Sequence, residues 1–127
     1  MREIKFRYRF ENITTGERLT VIMPLIMIES GGYVPNVFSL EWTMLSRDEF
    51  TGLHDKNGKE IWEKDIFVTE NNCIGVIKYE DVCFITEIPP SERFDYERVD
   101  PLYYAVNMDI EVIGDIYENP ELLKEVR

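Results

Sequence analysis

A chain of 127 residues with 44% hydrophobic and 13% aromatic side chains has the material for one packed domain and is too apolar to remain unfolded. Its 25 acidic and 14 basic side chains leave a net charge of −11, which repels phosphate backbones and anionic lipid, so direct nucleic-acid binding is disfavoured and no membrane partner is expected. The longest apolar segment, Val21 to Ile28, is broken by Pro24 and is too short to cross a bilayer; with no signal-like apolar run at the start, the expected location is the cytoplasm.

In chain order, Ile4, Phe6, Tyr8 and Phe10 alternate with Glu3, Lys5, Arg7 and Arg9, which predicts a half-buried strand with its charged side in water. Asn12 to Gly16 supplies a turn, and Arg18 to Ile28 reads as a second strand that Pro24 confines to an edge or breaks. Gly31, Gly32 and Pro35 mark a loop. From Phe38 the alternation resumes, with Phe38, Leu40, Trp42 and Met44 set against Ser39, Glu41 and Thr43. Further strands are expected at Asp65–Thr69, at Ile74–Tyr79 with a bulge at Gly75, and at Val82–Glu87. Ile88 to Pro101 reads as a long polar loop, after which Leu102–Val106 and Ile110–Tyr117 close the sheet. Asn119 caps a short terminal helix that Pro120 and Glu121 begin. The expectation is a mainly β protein with minor α content, forming a single domain over 1–127. Its amino-terminal β region spans 1–49, and the remainder, 50–127, ends in the helix. Cys73 and Cys83 are read as free thiols.

The stretch FTGLHDKNGKEIWEKDIF, residues 50–67, holds the densest turn chemistry. Asp55 can accept from its own backbone two residues on, and Gly58 suits a positive φ. This segment, with MREIKFR at 1–7 and EVIGDIYENPELL at 111–123, resembles the YopX family of small phage and prophage proteins. The resemblance implies an SH3-like small barrel in the carboxy-terminal half and an origin in a phage or integrated element; it implies no activity. Phe50, His54, Trp62 and Lys64 depart from the family's usual Tyr, Lys, Tyr and Gly, and the last departure argues against a positive φ at Lys64.

The chemical readings are weak. His54 is the only histidine, and its neighbour Asp55 is placed by sequence to point away from it. One histidine and two cysteines ten residues apart make no metal pattern, and no cofactor motif occurs. We therefore expect no catalytic, metal or cofactor residues. Trp62, Tyr79, Tyr103 and Tyr104 either form a binding platform or sit mostly in the core, and the core is favoured. Arg2, Lys5, Arg7 and Arg9 make the first ten residues basic, while residues 80–100 are strongly acidic; this polarity either steers self-association or is ordinary solvated surface. The leading expectation is a non-enzymatic accessory protein that contacts a protein partner or itself as a homo-oligomer. Trp62, Tyr103, Tyr104, Leu122 and Leu123 are its candidate contact residues. An acidic decoy for the DNA site of a host protein is the alternative, and a small enzyme with a pocket near His54 is the third.

Overall fold

Strand-forming alternation dominates the chain, and the computed structural model is accordingly mainly β, with two antiparallel sheets. It describes residues 3–29, 41–80, 83–89, 98–102 and 109–124, apart from the side chains of Met27, Glu29 and Lys124. The expected strand around Phe38, the Gly31–Pro35 loop, and Tyr103 to Val106 lie outside the described residues. Two compact units form, Met1–Phe50 and Thr51–Arg127.

In the first unit, β1 (Lys5–Asn12) pairs antiparallel with β2 (Arg18–Pro24) on one side and β3 (Trp42–His54) on the other. Asn12 closes the β1–β2 turn, its Oδ1 accepting the N–H groups of Thr14 at 2.9 Å and Thr15 at 3.1 Å. Among the described residues β2 is an edge strand, and it stops at Pro24, where the backbone has no donor to extend the ladder. Leu25–Glu29 then turns into a short helix, α1, so Ile28 is helical where a strand was expected.

The pairing of β1 with β3 slips between Arg9 and Phe10. Arg9 faces Ser46, yet Phe10 faces Met44. The extra residue of this β-bulge switches which side of the sheet the even-numbered residues of β3 occupy. Ser46, Asp48 and Phe50 are buried, whereas Met44, expected on the apolar side, is 55% exposed.

The second unit contains the remainder of β3, which pairs with β4 (Glu60–Trp62), and a sheet ordered β8-β7-β6-β5-β9. Its strands are β5 (Asp65–Val68), β6 (Ile74–Glu80), β7 (Cys83–Ile88), β8 (Arg98–Pro101) and β9 (Glu111–Asp115). β8 lies within the stretch expected to be loop, because Arg98–Pro101 pairs with Ile85–Ile88 despite its polarity. Ile61, Phe67, Ile77, Leu102, Ile110 and Val112 form the core, and Leu53, Phe84 and Ile88 pack on it half-buried. Each fully buried side chain of this kind contributes roughly 1.5–3 kcal/mol. Leu102 sits in this core outside any strand. Cys73 and Cys83 are free thiols, the first half-buried and the second exposed.

Gly75 is no bulge. It pairs in regular register with Phe67, and the Phe67 ring occupies the space a side chain at 75 would need. A Cβ there would lie 2.6 Å from Phe67 Cζ and 2.6 Å from the Glu87 carbonyl oxygen. The bulge falls instead on β9, between the pairs Ile66–Gly114 and Phe67–Val112. Gly75→Ala is expected to cost about 1–3 kcal/mol, because backbone and a core ring must both give way. A urea midpoint equal to that of the wild type would show that β6 and β7 separate at little cost.

The terminal helix α2 (Glu121–Lys124) packs against β6. Asn119, expected to cap it, turns its side chain back instead: its Oδ1 accepts the Asp115 N–H at 3.3 Å and lies over Gly114, which has no Cβ to obstruct it.

Candidate functional site

Two polar clusters stand out, one in each unit. The first arises on β1, where strand alternation sends Lys5, Arg7 and Arg9 to the same side. That side is not in water. Arg9 is 5% exposed, and Asp48 on β3 is completely buried. Register places Arg7 directly opposite Asp48. Asp48 Oδ2 accepts from Arg7 Nε at 3.2 Å and Nη2 at 3.1 Å, and from Arg9 Nη1 at 2.7 Å. Beside them, Lys5 Nζ lies 4.6 Å from the centre of the Phe50 ring. The expected wet face is thus an enclosed ionic cluster, held by charge-assisted bonds that converge on one carboxylate oxygen, Asp48 Oδ2. Asp48 is about forty residues from its arginines, and the bulge alone decides its parity, so no local pattern announces it.

The second cluster is built by the turn between β3 and β4. Asp55 is buried and accepts through both oxygens: Oδ1 from the N–H of Asn57 at 2.8 Å and Lys59 at 2.9 Å, Oδ2 from Val112 N–H on β9 at 2.9 Å. The bond to Asn57 is the one expected of an aspartate at this turn position, and Gly58 takes the expected positive φ, at 81°. The bond to Val112 spans 57 residues and was not readable from the turn. Lys56 N–H donates to the Ile110 carbonyl at 3.1 Å, and Asn57 Nδ2 to Glu111 Oε2 at 3.1 Å, so the two residues after Asp55 tie the turn to the start of β9 and the residue before it.

Other carboxylates behave likewise. Asp65 Oδ2 accepts the Trp62 N–H at 2.8 Å, and Asp115 Oδ1 accepts those of Tyr117 at 2.9 Å and Glu118 at 3.0 Å. Both aspartates are buried. Burial by itself pushes the Asp55 carboxyl up, but the three backbone N–H groups and the nearby Lys59 ammonium outweigh it and hold the group below its ordinary value. Such carboxylates fix backbone.

Lys64 contradicts the expectation for that position, adopting φ 71°. Its N–H donates to the Ile77 carbonyl at 2.7 Å and its own carbonyl accepts Ile116 N–H at 3.1 Å, which holds it left-handed against a steric cost of about 1–2 kcal/mol.

Of the sequence-predicted contact residues, the structure describes Trp62, Leu122 and Leu123. Trp62 is 4% exposed on β4, inside this chain. Leu122 and Leu123 are half-buried on α2. Tyr103 and Tyr104 lie outside the described residues. Tyr79 is exposed and meets Phe84 edge-to-face at 4.9 Å. His54 is exposed while Asp55 is buried, so the two side chains occupy different environments. Among the described residues no group of three or more His, Cys, Asp or Glu side chains is placed to hold a metal ion, and no helix is long and apolar enough to cross a membrane.

A crystal structure of protein EF1440 from Enterococcus faecalis has a similar fold, with a TM-score of 0.50 and 22% identity over 93% of this chain and 97% of that one. No curated protein matches the sequence. The family described as YopX protein matches residues 28–124, a span that holds the Asp55 turn, Asp65 and the carboxy-terminal stretch, and this chain belongs to it.

Proposed function

We propose that this protein is a non-enzymatic accessory factor, encoded by a phage or integrated element and working in the cytoplasm through protein–protein contact, first of all with a second copy of itself. The observation that carries the reading is the set of apolar side chains exposed along the edge strand β2, Leu19 on the Phe10 side of the sheet and Ile22 on the Arg7 side. On the edge strand β2, Leu19 is 39% and Ile22 50% exposed, and Ile4, Ile13 and Ile26 are exposed nearby in sequence. Exposed apolar side chains on a strand edge favour contact with another chain. The second unit is read as a small SH3-like barrel, supported by its five antiparallel strands and by the bulge that bends β9 against β5. The decoy reading draws less support, since Asp48, Asp55, Asp65 and Asp115 are buried and contribute nothing to a phosphate-like array.

Light scattering across a concentration series tests the proposal. The wild type should associate, and Leu19→Lys with Ile22→Lys should reduce it to monomers while its melting temperature stays within a few degrees. A wild type that is monomeric throughout, or a doubly substituted chain of unchanged size, would remove self-contact through β2.

A further inference from the structure

Asn57 and Gly58 form the exposed tip of the turn between β3 and β4. An asparagine carboxamide followed by glycine is open to attack by the next backbone nitrogen, because glycine has no Cβ to obstruct closure of a five-membered ring. Both residues are open to solvent. Nothing lies within 4 Å of the point where a Gly58 Cβ would stand, while the Gly58 N–H itself donates to the Asp55 carbonyl at 3.0 Å, so the nitrogen is released for attack when that turn bond opens. Asn57 Nδ2, the nitrogen that must leave, donates to the Glu111 carboxylate at 3.1 Å.

We propose that Asn57 is a site of self-modification in which the turn converts its own carboxamide to a carboxylate. The lone pair of the Gly58 nitrogen forms a bond to Asn57 Cγ, the Cγ–Nδ2 bond breaks, and ammonia departs with the proton lost from Gly58. Water then opens the succinimide at either carbonyl to give aspartate or isoaspartate. One water is consumed and one ammonia released, with no change of oxidation state.

The product acts on the fold. The donor that met Glu111 becomes a second carboxylate at the same spot, and like charges so placed repel. Isoaspartate also inserts a methylene into the backbone between Asn57 N–H and Lys59 N–H, the two donors that converge on Asp55 Oδ1. Either product loosens the connection of this turn to β9.

The test incubates the whole protein at mildly alkaline pH, digests it, and follows each asparagine by mass and by enzymatic methylation of isoaspartate. The Asn57 peptide should gain one dalton several-fold faster than peptides holding Asn71, Asn72 or Asn119, and Asn57→Gln should abolish the gain. A rate no greater than theirs overturns the site. Asn57→Asp should melt several degrees below the wild type, and adding Glu111→Gln should recover most of that loss. An Asn57→Asp protein that melts with the wild type overturns the effect on the fold.

Discussion

Asp48→Ala is expected to remove about 3–5 kcal/mol of folding stability, a large share of the 5–15 kcal/mol typical of a domain. The variant deprives both Arg7 and Arg9 of the carboxylate oxygen they share, at a place closed to solvent. A surface pair provides the contrast. Arg18 and Glu11 are 3.5 Å apart and their side chains are partly in water, so Glu11→Ala should cost no more than about 1 kcal/mol. Urea unfolding of the two variants side by side reads the difference. Adding Arg9→Met to Asp48→Ala should restore part of the loss by removing a guanidinium that no longer meets that counter-charge. If Asp48→Ala unfolds within about 1 kcal/mol of the wild type, the arginines reach water and the cluster is not enclosed.

Asp55→Asn should cost about 2–4 kcal/mol, since bonds from N–H donors to a charged acceptor are worth roughly 1.5–3 kcal/mol each. The substitution keeps the size but turns one acceptor into a donor, so either Val112 N–H or the Asn57 and Lys59 N–H groups lose their partner. The pH dependence follows from the folded carboxyl lying below its ordinary value of 3.8. A depressed folded value means the stabilisation is full above the point where the unfolded aspartate titrates. It is then lost as the pH falls through the folded value. The stability gap between wild type and Asp55→Asn should therefore be constant near neutrality and narrow in acid below 3.8. A gap that persists unchanged into strong acid would show that the ionised form plays no part.

Both predictions rest on aspartates, yet only one was visible beforehand. Asp55 announces itself because the aspartate, the asparagine–glycine pair and the spacing to Lys59 all serve one local turn, and local hydrogen bonds are written in adjacent residues. Asp48 carries no such mark, since its partners come from another strand and a slipped register decides which side of β3 it faces. The charged half of β1 misleads for the same reason. Alternation reveals that two faces exist, and it does not reveal whether the polar one will find a buried counter-charge.

By itself the sequence determined the β class, the β1–β2 and Asp55 turns, the edge or break that Pro24 imposes and the family, because each depends on residues within a few positions of one another or on the recurrence of short stretches. Only the tertiary structure decided that Gly75 makes room for Phe67, that Arg98–Pro101 is a strand, that Lys64 is left-handed and that Asp55 reaches Val112. Each of these is the outcome of contacts between segments far apart in the chain. Those contacts supply the bonds and packing that outweigh the local preferences of a glycine, a polar tetrapeptide or a lysine.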